Sequence, residues 1–140
     1  VNIQHSRTLR MATLFATLLT LFITGCGSGS ALNPVFQPQV ANNPDNFQFQ
    51  STGVQNVTQT LQYTWPNSGT HASVNQATTV TTGSAMLQIR DSQGTVVYNS
   101  DLALNGTFPT APAGQAGNWT ILLTLSNYSG TLNFRVQMAP

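Results

Sequence analysis

The sequence predicts an all-β fold, an antiparallel β-sandwich of jelly-roll or Ig-like type with seven or eight short strands. Three observations lead there. Apolar residues alternate at period two through most of residues 47–140, and turn-forming residues interrupt that alternation at regular intervals. No 3.6-residue periodicity occurs beyond residue 25, so helix is expected only upstream of it.

The chain opens with Arg7 and Arg10, followed by an uncharged apolar run from Met11 to Ile23 and then Thr24-Gly25-Cys26. A basic region, an apolar segment of this length and a small-residue cleavage site describe a secretory signal rather than a spanning helix. Leu21-Phe22-Ile23-Thr24-Gly25-Cys26 resembles the lipobox of bacterial lipoproteins. The resemblance implies cleavage before Cys26 and acylation of that residue with diacylglyceryl and fatty-acyl chains such as palmitate. Membrane lipid is then the first partner, reached through acylated Cys26. Each buried methylene contributes about 0.8 kcal/mol, so two or three chains anchor a protein firmly. Gly27 rather than Asp follows the cysteine, which by the familiar sorting rule implies the outer membrane, facing the periplasm or the surface.

These signals divide the chain into a signal peptide over 1–25, a flexible linker over 26–46 and a β-sandwich domain over 47–140. The linker reads GSGSALNPVFQPQVANNPDN after Cys26, with Pro34, Pro38 and Pro44 spaced through Asn and Gln. Proline disfavours both helix and central strand. As a flexible chain this tether spans roughly 25 Å, and about 60 Å when drawn out. Phe36 is its candidate anchor on the domain edge.

Within the domain, Phe47 and Phe49 begin a short strand, and Val57, Leu61, Tyr63 and Trp65 form another that Pro66 and Asn67-Ser68-Gly69 terminate. A weaker strand runs from about Ala72 to Thr82. Ala85, Leu87 and Ile89 lead into Asp91-Ser92-Gln93-Gly94, a type I turn composition, with Val96 and Tyr98 beyond it. The expected hairpin register sets Arg90 opposite Thr95, Ile89 opposite Val96 and Leu87 opposite Tyr98. Leu102, Leu104 and Phe108 surround Asn105-Gly106, either a tight hairpin or a loop bend.

The clearest alternation lies at the C-terminal end. Trp119, Ile121, Leu123 and Leu125 precede Asn127-Tyr128-Ser129-Gly130, and Leu132, Phe134, Val136 and Met138 follow it. A turn that opposes Ser126 and Thr131 pairs Leu125 with Leu132 and Trp119 with Met138, placing all eight apolar residues on one face. Gly117-Asn118-Trp119-Thr120-Ile121, Ser129-Gly130-Thr131-Leu132-Asn133-Phe134 and Met86–Gly94 resemble hairpins of pre-peptidase C-terminal and related jelly-roll domains of secreted bacterial hydrolases. That resemblance implies a sandwich and an accessory role beside a hydrolase.

Charge excludes one class of partner. The whole chain carries +1, and removing Arg7 and Arg10 with the signal leaves −1 from Asp45, Arg90, Asp91, Asp101 and Arg135. Lys and Glu are absent. Nucleic-acid binding needs clustered cations, so no such partner is expected.

Candidate chemistry is sparse. His71 is the one histidine after Cys26, in a turn-like stretch, and no Gly-x-Ser-x-Gly elbow accompanies it. No catalytic residue, cofactor or metal is therefore expected. Asp91, Gln93 and Asp101 offer oxygens to a loop cation, but Asp91 reads better as a turn initiator. Tyr63, Trp65, Trp119 and Tyr128 are candidates for stacking on sugars. Tyr63 and Trp119 share the parity of their core strands, which leaves Trp65 and Tyr128 as the speculative ligand-binding pair. The expected role is non-enzymatic: binding, adhesion or structure in the cell envelope, with an envelope protein or a glycan as partner. Edge strands without charge also admit self-assembly.

Overall fold

The computed structural model describes residues 36–140; the expected signal peptide, Cys26 and the first part of the linker lie outside the described residues. Seven strands form one antiparallel sheet: β1 (Gln39–Asn43), β2 (Asn46–Asn67), β3 (His71–Gln76), β4 (Thr79–Arg90), β5 (Val96–Asp101), β6 (Gly106–Pro109) and β7 (Gly117–Ala139). A single 3₁₀ turn, Leu102–Leu104, joins β5 to β6.

The two longest strands, β2 and β7, run side by side from Asn46 opposite Gln137 to Asn67 opposite Gly117. Both fold over midway. Phe47 and Tyr63 belong to the same strand, yet their rings lie 5.3 Å apart. At the strand ends the Asp45 N–H donates to Pro66 O at 2.9 Å, and Trp65 Nε1 donates to Asn43 O at 3.2 Å. One sheet thus doubles back to make both layers of the sandwich. The first layer runs β1-β2-β7-β3-β6, and the second runs through the later half of β2, the earlier half of β7, then β4 and β5.

The fold line has a local cause. Register shifts occur between Ser51 and Gln59 in β2 and between Val80 and Ser84 in β4. Beside these bulges sit Gly53, Asn56, Gly83, Asn127 and Gly130, all with positive φ. A bulge adds a residue to one strand and turns it sharply, which lets a sheet wrap onto itself. Val54, Val57 and Tyr128 fill the inside of the bend.

The alternation at the C-terminal end therefore has a different meaning from the expected hairpin. Residues 117–139 are one strand, and Leu125 pairs across to Gln59 and Ala85 instead of to Leu132. Trp119, Ile121, Leu123, Leu125, Leu132, Phe134 and Val136 all point inward as expected, because a strand bent over a core keeps one face inside. Met138 is 39% exposed, since it ends the strand instead of covering Trp119.

The second hairpin forms between β4 and β5, with its register displaced: Ile89 opposes Tyr98 and Leu87 opposes Ser100. The Asp91 carboxylate accepts from the N–H groups of Gln93 and Thr95, which widens the turn and puts Arg90 opposite Val96 across a bulge. Val97 and Tyr98 are buried in consequence, and Val96 is left exposed. The weaker strand expected over 72–82 divides into β3 and the start of β4. Thr78 breaks the run, held by Asn105, whose Oδ1 accepts the Thr78 N–H at 2.7 Å and whose Nδ2 donates to Thr78 O at 2.9 Å. Asn105-Gly106 is thus a bend, not a tight hairpin.

The part of the expected linker that lies among the described residues, 36–46, belongs to the folded domain. Phe36 is buried in the core, and Gln39–Asn43 pairs with β2 from Gln50 to Asn46. Pro44 and Asp45 (φ 62) form the connecting turn, the combination a type II turn uses. Every side chain of β1 is exposed, so backbone pairing recruits it, joined by the Asn42 side-chain amide donating to Thr64 O.

Candidate functional site

The aromatic candidates lie inside the domain. Trp65 and Trp119 are opposite one another in the β2–β7 ladder, fully buried, with ring centroids 5.8 Å apart in an edge-to-face arrangement. The Trp119 indole donates to Gln115 O at 2.7 Å. Tyr128 is fully buried at the bend, its O–H 3.0 Å from both Thr79 O and Thr131 O. Burial pushes its phenol up to about 12. Neither Trp65 nor Tyr128 offers a ring face to a sugar, which corrects their assignment as the ligand-binding pair. Both are amphipathic residues used as core, with the polar tip satisfied by backbone carbonyls.

Asp91 is the most heavily bonded carboxylate of the domain. Besides Gln93 and Thr95 it accepts the Gln115 N–H at 2.9 Å, tying the β4–β5 turn to the segment before β7. Burial pushes its carboxyl up, and the hydrogen bonds from Gln115, Thr95 and Gln93 outweigh that, holding it below the ordinary carboxylate range. Its oxygens serve the turn, and Asp101 is occupied in the same manner with the Ala103 N–H at 2.8 Å. Among the described residues no group of three or more His, Cys, Asp or Glu lies together. His71 begins β3, half-exposed, with its Nδ1 3.1 Å from the Thr70 hydroxyl.

What the domain presents outward across its strands is mostly polar. In the first layer Ala41, Gln48, Arg135, Asn75 and Thr107 stand side by side across the strands, with Asn75 Nδ2 donating to Thr107 Oγ1 at 2.8 Å. The second layer places Gln62, Leu122, Gln88 and Asn99 in a matching row. Beside β1, Gln39, Val40, Ala41, Gln48 and Gln50 line a shallow depression of about 250 Å³.

The remaining candidate feature is a set of sheet edges. Backbone groups along an unpaired edge are strong hydrogen-bonding groups without fixed partners, and charge or proline normally guards them. The β5 edge is partly covered, because the Ala111 N–H donates to Val97 O at 2.8 Å. The later half of β2 bounds the second layer, for β1 reaches only from Asn46 to Gln50. The sequence signal for this edge was the missing charge; which strand would lie outermost was not visible in it.

No protein-family model and no curated protein matches this chain.

Proposed function

We propose that this chain is a lipid-anchored protein of the bacterial cell envelope whose β-sandwich serves a non-enzymatic role of binding, adhesion or assembly. Thr24-Gly25-Cys26, directly after the apolar run, carries the reading. Phe36, already buried in the core, lies about ten residues past Cys26, a separation of at most about 35 Å along the chain. Acyl chains on Cys26 would therefore hold the domain close to the lipid surface. Its layers present Asn, Gln and Thr backed by a rigid apolar core, a surface for recognition by hydrogen bonds and shape.

Mass spectrometry of the protein extracted from membranes tests the reading, with Cys26→Ala as control. A mature species that begins at Cys26 and carries the mass of a diacylglyceryl group is expected. An unmodified species released to the medium by both chains would overturn the anchor. An accessory role beside a secreted hydrolase, implied by the pre-peptidase-like segments, is the alternative, and co-purification of a protease from the envelope would favour it.

A further inference from the structure

In the ladder with β7 the later half of β2 keeps an unbroken register from Gln59 to Asn67. Thr64 O accepts from Asn42 Nδ2 at 2.8 Å, and Pro66 O from the Asp45 N–H at 2.9 Å. Both carbonyls therefore face away from β7. Backbone direction alternates along an antiparallel strand, so the N–H and C=O groups of Thr60 and Gln62 face the same way. Among the described residues nothing pairs with them.

We propose that this edge pairs with the same edge of a second copy of the chain, antiparallel and about a two-fold axis through Leu61. Thr60 of each copy then exchanges backbone hydrogen bonds with Gln62 of the other, and Gln59 lies opposite Tyr63. The register follows from which groups are free. Centring the axis on Gln62 would require Thr64 O, already engaged by Asn42. A Leu61 axis needs only the groups of Thr60 and Gln62.

Three observations select a second copy as occupant. The stretch Thr60-Leu61-Gln62-Tyr63-Thr64 carries no charge, so apposition about Leu61 places no like charges together and sets Leu61 against its own copy. Leu61 and Tyr63 are only half-buried, and pairing two edges covers them on the core side. The chain's own upstream residues are poor competitors, because Gly27-Ser28-Gly29-Ser30 and Pro34 disfavour strand. The pairing stands independently of the lipid anchor, although anchoring would favour it by concentrating copies on a surface.

Disulfide trapping in cells that express the full chain provides the test, with Cys26 retained. At the two-fold axis Leu61 is a non-hydrogen-bonded pair, whose Cβ atoms approach to about 4.5–5.5 Å, near the separation a disulfide uses. Leu61→Cys is expected to give a disulfide-linked dimer on mild oxidation. Gln59→Cys, and Val96→Cys at the exposed start of β5, should give no more than the unsubstituted chain. Adding Thr60→Lys to Leu61→Cys should reduce the dimer by about ten-fold while leaving the circular dichroism of the purified protein unchanged. Equal cross-linking at Val96, no dimer at Leu61, or a dimer indifferent to Thr60→Lys would each overturn the pairing. A monomer whose Thr60 and Gln62 amides resist hydrogen exchange would overturn it in favour of the chain's own upstream segment. Failure of the anchor shows separately, as release of the unsubstituted chain to the medium.

Discussion

At the scale of single residues, the fold depends on a few backbone positions that only glycine tolerates. Gly130 has φ +148, and a Cβ there would collide with Thr79 O and approach the Tyr128 hydroxyl at 3.0 Å. Gly53 has φ +64 with nothing within 4 Å of where a Cβ would sit. Gly53→Ala carries only the left-handed penalty, about 1–2 kcal/mol. Gly130→Ala adds a backbone clash and is expected to cost upward of about 3 kcal/mol or to prevent folding. Chemical denaturation of the two variants separates the cases. Asp91 makes a second prediction at this scale. Its carboxyl titrates lower in the folded chain than the ordinary 3.8, so the folded state holds fewer protons as the pH falls through that value. The stabilisation is fully present above about pH 4 and is lost below it as the carboxylate protonates. Denaturation midpoints between pH 2 and 7 should decline at the acid end for the native chain, and Asp91→Asn should be less stable at neutral pH with a flatter acid decline.

At the scale of elements, residue parity was legible and connectivity was not. Trp119 through Leu125 and Leu132 through Val136 were assigned to the interior from alternation alone, and they are there. Asn127 and Gly130 carry turn chemistry, but the positive φ that permits a chain reversal equally permits a bulge. β2 runs along the whole of β7 and holds it extended through the bend, a long-range pairing that no local signal encodes. β1 shows the converse. Gln39-Val40-Ala41-Asn42-Asn43 has neither strand propensity nor alternation, and it forms a strand because Asn46–Gln50 offers an open ladder beside it. Phe36 anchors that arrangement from the core, with 1% of its surface exposed. Phe36→Ala is expected to cost about 3–5 kcal/mol, in the range of other buried aromatic truncations, measurable as a lower denaturation midpoint. A residue in a free tether would cost nothing.

At the scale of the whole molecule, each sheet layer completes the other through chain segments that cross the fold line. Ser68, Gly69 and Thr70 connect Asn67, opposite Gly117, to His71, opposite Ala139. So short a link spans about 10 Å, the spacing of two packed sheets, and it closes only because the two ends of β7 have been brought together. Cysteine chemistry plays no part within residues 36–140, which contain none, so packing and ladder bonding alone stabilise the closed sheet. The sequence by itself determined the all-β character, the inward face of residues 119–125 and 132–136 and the sparsely charged surface, because alternation and composition are local properties written residue by residue. Tertiary structure alone decided that Asn127–Gly130 bends instead of reversing, that Trp65 and Tyr128 are core, and that β2 bounds the second layer. Those outcomes depend on which strand lies alongside which, and partners distant in the chain leave no periodic trace in it.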